Sequence, residues 1–370
     1  MDIVRVKTIG DFCAFENELN EFRLRCQGKN LFLTFDYLYS WLESFEPQNI
    51  DVFITIKDGR ITGLFPLHKY ATVALPFKDF SNYQILGNGL WGYADFLVEE
   101  ETLDESISFF LNYFYKSIRF CRLDIGPALA DSKVFSAVCA YILKKSIVAD
   151  IVNAESAPHI KIASDFKTFL KGLTRKAAAQ DALRCIRRVE EVGKLTFVRF
   201  RDSSNVSPQE LDSLLDIFFE MYLKQWRTNR FTKDQRFYKL YRTLAHRAYK
   251  NEYLDFSILY LDEKPIAMHY GFVLDGCRYY MTPTYNIEYG KYSPGKILLF
   301  YLIRDSHFNN VEFDFLNGME TYKLDWTKEV QQLRYLTMYS SRLTKIAVSI
   351  ARIRFMLLNF TKFLISKIRL

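Results

Sequence analysis

The stretch from Tyr285 to Trp326, Y-N-I-E-Y-G-K-Y-S-P-G-K-I-L-L-F-Y-L-I-R-D-S-H-F-N-N-V-E-F-D-F-L-N-G-M-E-T-Y-K-L-D-W, decides how this chain is read. It opens as a tyrosine-rich loop and passes through Ser293-Pro294-Gly295-Lys296 into an apolar helix. A short buried strand follows and ends at Asn317-Gly318. Ser293 is expected as the N-cap, Pro294 in the first turn, and Gly295 where a ligand could approach the backbone. A helix start offers unpaired N–H groups and the positive end of a dipole, which suits a phosphate.

Working outward, the plan of this half recurs in the other. Asp51–Lys57 reads as a strand, Asp58-Gly59 as a tight turn, and Arg60–Tyr70 as a second strand. Asp255–Leu261, the Asp262-Glu263-Lys264-Pro265 turn and Ile266–Leu274 repeat that pattern. Strand Tyr93–Val98, a helix over Thr102–Ser117 and strand Arg119–Ile125 align with strand Cys277–Thr284, helix Gly295–Phe308 and strand Val311–Leu316. A period this long implies a duplicated domain, since each copy can bury a sheet of its own. The expected fold is α/β (α+β), two tandem domains each built of a mixed, mostly antiparallel sheet flanked by helices. Their expected limits are 1–160, 161–340 and a terminal helix over 341–370.

Between the copies, Phe166–Gly193 reads as a helix with an apolar stripe of Leu170, Leu173, Ala177, Leu183, Ile186 and Val189. Arg175, Lys176, Arg184, Arg187 and Arg188 make a basic cluster there. It is read as a solvated face, with attraction of an anionic substrate as the sharper alternative.

The chain has 370 residues, a formal charge of +7 and 16% aromatic residues, the composition of a globular protein. Of its 50 Lys and Arg, eight follow Val330, where Asp and Glu are absent, leaving 42 basic against 43 acidic before it. In that tail Ile346, Ile350, Ile353, Leu357, Phe360, Leu364 and Ile368 recur at helical spacing between basic residues. Charges interrupt it too often for a membrane span. It fits a helix lying on an anionic membrane surface, or one packed on protein or on a second copy. The start, Met1-Asp2-Ile3-Val4, has no signal-peptide pattern, and six scattered cysteines without a C-x-x-C pair suggest reduced thiols in the cytoplasm.

Other signals carry less. Gly87-Asn88-Gly89-Leu90-Trp91-Gly92 spells a dinucleotide fingerprint, but a strand-like segment follows it where a helix is required. Its Trp91, with Tyr93 and Asp95, could line an acceptor cleft. The five histidines show no metal-ligand spacing, so no metal is expected.

The chain resembles the two-domain GNAT acyltransferases linked to bacterial cellulose and exopolysaccharide biosynthesis (CelD-like), relatives of the Fem-type aminoacyltransferases. The resemblance spans most of residues 30–340. It rests on F-D-Y-L-Y-S-W-L at Phe35–Leu42, the basic helix ending in E-E-V-G, Lys264-Pro265-Ile266-Ala267, Tyr292-Ser293-Pro294-Gly295-Lys296, and Phe313–Lys323 with Trp326. The family's helix is a denser run of Lys and Arg, which Ala177–Asp181 dilutes here.

The resemblance implies direct attack of an amine on an acyl thioester, with acetyl-CoA or another acyl-CoA as donor. Backbone groups along Tyr279–Thr284, including Met281 and Thr282, would pair with pantetheine. Tyr292, Ser293, Gly295, Lys296 and Ile297 would hold the pyrophosphate. Tyr322 would protonate the thiolate, with Asp314 or Glu320 as base and Lys323 nearby. Tyr285 and Arg187 join Trp91, Tyr93 and Asp95 as acceptor candidates. The expected acceptor is an amino sugar or a lipid-linked envelope precursor at the inner membrane face. A Fem-like aminoacyl-tRNA-dependent transferase and an inactive scaffold are the alternatives.

Overall fold

The computed structural model describes residues 1–26, 30–45, 49–70, 80–87, 92–173, 175–200, 207–226, 228–351 and 353. Trp91, Leu357, Phe360, Leu364 and Ile368 lie outside the described residues. In chain order the strands are β1 Asp2–Val6, β2 Ile50–Lys57, β3 Arg60–Tyr70, β4 Ser81–Ile85, β5 Leu97–Val98, β6 Phe120–Leu129, β7 Ala149–Asn153, β8 Ala157–Ile160, β9 Leu195–Phe200, β10 Leu254–Leu261, β11 Lys264–Leu274, β12 Cys277–Tyr285, β13 Glu312–Asp314, β14 Val330–Gln331 and β15 Leu333–Tyr339.

Two compact units result. The first comprises Met1–Leu42, Glu46–Ala154 and Gln332–Leu370, the second Glu43–Phe45 and Glu155–Gln331. The first sheet runs β1-β2-β3-β4-β6-β15-β7, with β5 on β3, and the second runs β14-β8-β13-β12-β11-β10-β9. Both are mixed. β4 lies parallel to β6 across the helix Leu103–Ser117, as β12 lies parallel to β13 across Pro294–Phe308. The fold is therefore α/β, with one strand order used twice.

Turn chemistry explains the hairpins. Asp58-Gly59, Asp262-Glu263 and Asp275-Gly276 all hold positive φ at both central positions, the mirror-image turn whose twist matches paired strands.

Three expectations need correction. The strand equivalent to β12 is Ser81–Ile85 rather than Tyr93–Val98, of which only Leu97–Val98 is extended. Polar Ser81, Asn82 and Gln84 conceal the alternation that Tyr83 and Ile85 carry. The boundaries at 160 and 340 also move. β8 joins the second sheet beside β13, and β15 returns to the first beside β6. Each is a short apolar strand whose partner is distant in sequence.

The linker, finally, forms two helices, Phe166–Gly172 and Lys176–Glu190. The second buries Ala178, Ala179, Ala182, Cys185, Ile186 and Val189, while Ala177 and Leu183 are exposed.

In the second unit Leu259, Ile266, Ala267 and Tyr280 pack with Ala182, Ile186, Ile297 and Leu298, so the helices Lys176–Glu190 and Pro294–Phe308 share one core with the sheet. Phe256 and Tyr270, opposite one another in register, meet Phe218 of the helix Pro208–Gln225. Tyr270 also meets Tyr241 of the helix Arg236–Lys250. Alternate residues of the same strands thus carry two apolar faces.

Candidate active site

The second sheet contains a wedge. β12 pairs in parallel with β13 only at Cys277↔Glu312, Arg278↔Phe313 and Tyr279↔Asp314, yet it stays paired with β11 on its other side as far as Tyr285. The partner chain leaves because it turns at Leu316, whose φ is 59°. Asp314 holds that turn, its buried carboxylate accepting the Leu316 N–H at 2.7 Å. Phe315 and Gly318 then donate to the carbonyls of Pro158 and Ser156. The edge of β12 over Tyr280–Tyr285 therefore has no strand neighbour on the β13 side among the described residues.

A bulge marks the start of this edge. Register with β11 slips by one between Tyr270 and Phe272, opposite Tyr279–Thr282. Gly271 permits it, because a Cβ there would lie 2.2 Å from the His269 ring and 2.6 Å from the Tyr279 carbonyl oxygen. Such an extra residue leaves backbone groups out of the ladder.

The helix start lies at the other end of the same edge. Ser293 occupies the N-cap position with φ 55°, but its side chain makes no cap bond, contrary to its expected role. Its carbonyl instead accepts the N–H groups of Lys296 at 3.0 Å and Ile297 at 3.3 Å. Gly295 is then the expected phosphate contact whose surroundings stay open, as a Cβ there meets only the Tyr285 ring at 3.5 Å. Lys296 reaches Asp181 of the helix Lys176–Glu190 at 3.6 Å. Tyr292 packs at the rim of the core with Tyr285, and Lys291 sits over its ring.

Near the wedge, Tyr280 packs against Phe313 and Phe315, with His269 stacked on it. Burial pushes its phenol well above the ordinary range, and the Tyr322 phenol adds to the shift. Tyr322, on the turn of helix Thr321–Leu324, is 42% exposed, yet burial still raises its phenol, and the Glu320 carboxylate raises it further. The phenol therefore stays protonated at neutral pH, a donor in place although a weaker acid than an ordinary tyrosine.

The remaining candidates are engaged elsewhere. Lys323 is buried, pairs with Glu320 at 2.9 Å and donates to the Asn317 carbonyl at 2.8 Å. It ties the loop after β13. Glu320 leans over Gly318, where φ is 108° and a Cβ would sit 2.6 Å from its carboxylate. The Thr282 hydroxyl is bonded to Tyr241 at 2.8 Å, and Met281 is half-buried. Arg187 is exposed on the linker helix. In the first unit, Tyr93 is buried against Phe32. Asp95 accepts from Ser132 at 2.6 Å and from the Phe96 N–H, and burial raises its carboxyl to about 6. Both therefore serve the packing of the first unit.

Sequence reasoning missed Gln225, Tyr280 and Asp181. Gln225 ends the helix Pro208–Gln225 and accepts the Thr284 hydroxyl at 2.8 Å and the Tyr285 N–H at 3.0 Å. No motif marks it. Tyr280 escaped because a bulge shifts the alternation by one.

Among the described residues no cluster of His, Cys, Asp or Glu could hold a metal, and no helix is long and apolar enough to cross a membrane.

Comparison with known proteins bears on the domain and the fold. Residues 176–324 match the family model described as an acetyltransferase (GNAT) domain. FemX has a similar fold, with a TM-score of 0.63 at 9% identity, covering 94% of this chain and 99% of that one. A conserved protein of unknown function from Bacteroides thetaiotaomicron VPI-5482 superposes with a TM-score of 0.56 at 13% identity, over 91% and 100% of the two chains. L-PGS from Bacillus licheniformis does so with a TM-score of 0.52 at 12% identity, over 91% and 95%. No curated protein matches the chain in sequence. These low identities speak for the fold; the matched domain speaks for the chemistry. The chain thus carries, over residues 176–324, a GNAT-type N-acyltransferase domain.

Proposed function

We propose that the second unit transfers an acyl group, acetyl in the first instance, from a coenzyme A thioester to an amine by direct attack. The observation that carries this reading is the wedge. β12 loses its parallel neighbour after Tyr279 and presents an open edge up to Tyr285, at the start of the helix Pro294–Phe308. An extended donor with amide groups can pair with such an edge as a missing strand would. Its phosphates then fall at Gly295 and the positive helix end, with Lys296 drawn between them and Asp181.

In this reading a backbone N–H left out of the ladder at the bulge stabilises the negative charge that develops on the thioester carbonyl. The amine nitrogen forms the new bond to the carbonyl carbon, and the carbon–sulfur bond breaks. Tyr322 gives its proton to the departing thiolate. The exposed Glu320 takes the proton lost by the amine, while Asp314, buried and bonded to Leu316, maintains the turn.

For the acceptor we favour an amino sugar or another precursor of the cell envelope or its polysaccharides, as in the cellulose- and exopolysaccharide-linked enzymes that the sequence resembles. The test is release of free thiol by the purified full chain, from acetyl-CoA and longer acyl-CoAs, with glucosamine and a panel of amino sugars and primary amines. Amine-dependent release is expected. Release with none of these amines, together with transfer from aminoacyl-tRNA, would replace this reading with the Fem-like one.

A further inference from the structure

The first unit carries an apolar stripe that is exposed among its described residues. Residues 342–351 and 353 are helical. Ser341 starts this helix, its hydroxyl accepting the Thr344 N–H at 3.1 Å while its own N–H donates to the Thr344 hydroxyl at 2.9 Å. The helix is docked through one face. Thr344 and Val348 are 5% exposed, Val348 packs with Cys121 and Tyr339, and Lys345 is paired with Asp150.

Leu343, Ile346, Ile350 and Ile353 fall on the opposite side and are 73%, 56%, 60% and 59% exposed. A run of large aliphatic side chains along one helix face is unusual on a free surface. In sequence the same spacing continues through Leu357, Phe360, Leu364 and Ile368.

We infer that this stripe docks on the surface of an anionic lipid bilayer. The spacing of three and four would equally suit pairing with a second copy. Charge decides between the two. In the sequence no acidic residue follows Glu329, while Arg342, Arg352, Arg354, Lys362, Lys367 and Arg369 do, Lys345 being paired with Asp150. Two copies brought together along it would face cation against cation with no acidic partner. An anionic headgroup layer supplies the missing charge while its acyl region accepts the aliphatic side chains. The inference is independent of which acyl donor or acceptor the second unit uses. It would hold the enzyme beside membrane-borne material.

The test is co-sedimentation of the full chain with vesicles of phosphatidylglycerol and phosphatidylethanolamine, and with phosphatidylcholine vesicles, followed by light scattering without lipid. The wild type is expected to bind the anionic vesicles at least tenfold more tightly, and to be released by 0.5 M salt. An Ile346→Glu/Ile350→Glu variant is expected to lose that binding with an unchanged thermal midpoint, since both side chains are exposed. Equal binding to both vesicle types, equal binding by the variant, or no binding at all would overturn the inference. So would a wild-type dimer that the variant abolishes in the absence of vesicle binding, which would assign the stripe to a second copy.

Discussion

Gln225 and Tyr285 are joined across the open edge of the second sheet, the side-chain carbonyl of Gln225 accepting the Tyr285 N–H at 3.0 Å. Asn286 donates to Ile266 on the β11 side, so Tyr285 faces the other way, toward the wedge. A ligand amide carbonyl pairing with this edge would compete with Gln225 for that donor. A neutral hydrogen bond of this kind contributes about 0.5–1.5 kcal/mol net. Gln225→Ala should therefore lower the KM for the thioester donor several-fold and leave kcat little changed. An increased KM would mean that Gln225 orders the strand for the ligand instead.

Tyr322 is held in its protonated form by burial and by Glu320. Removing a positioned proton donor costs about 10²–10⁴ in rate. Tyr322→Phe should lower kcat by at least about 10² with a thermal midpoint close to wild type, since the side chain is partly exposed. Lys323→Met should show the reverse balance, a lower midpoint from the untethered loop at Asn317. Full activity in Tyr322→Phe would remove this residue from the chemistry.

Some of this architecture was legible in the sequence, and the reasons are local. Asp58-Gly59 announces its hairpin because positive φ at both positions suits few residues; the second turn is expected over Asp262–Pro265, and nothing about Glu263 marks its φ of 67°. The helix Pro294–Phe308 is equally plain from its proline and apolar run. The exchange of β8 and β15 between the sheets is not, because pairing partners far apart in sequence leave no local mark. On Lys176–Glu190 the expected Ile186 and Val189 are buried, but Ala177 and Leu183 are not, because Ala178, Ala179 and Ala182 make the contact in their place. At the site, the Ser293-Pro294-Gly295-Lys296 start was visible, whereas the strand bulge and Gln225 follow only from the sheet.

Beneath the helix Pro294–Phe308, Arg278 is fully buried and its guanidinium lies 2.8 Å from Asp255 and 2.5 Å from Asp305. Removing one partner of a buried pair strands the other charge, at a cost of about 3–5 kcal/mol. Arg278→Met should therefore destabilise the second unit by about that amount in denaturant titration, since it takes the guanidinium away from the buried Asp255. Asp255→Leu/Arg278→Met should cost less than the sum of the single changes, because Asp305 keeps Arg199. Additive losses would show that the groups do not act as a pair.

Among the described residues His269 is fully buried with no hydrogen-bond partner for either ring nitrogen, Asp255 lying 3.9 Å from one of them, and burial lowers it to about 4. The unfolded chain, with an ordinary histidine near 6.5, binds the proton more readily. Stability from this residue is thus complete above pH 6.5 and lost as pH falls toward 4, about 2 kcal/mol by pH 5. His269→Leu should flatten this part of the stability profile. His68, lowered to about 4 by burial in the first unit, contributes in the same direction and should keep a residual slope. An unchanged profile in His269→Leu would contradict the account of this residue.

The most direct test of the donor site is isothermal titration of the full chain and of Gly295→Trp with acetyl-CoA and longer acyl-CoAs. A side chain at Gly295 has open space beyond the Tyr285 ring, so the variant should fold, and a thermal melt checks this. The wild type should bind and the variant should not, at matching thermal midpoints. Failure of the wild type to bind any coenzyme A thioester, or undiminished binding by the variant, would contradict a donor laid along β12 with its phosphates at this helix start.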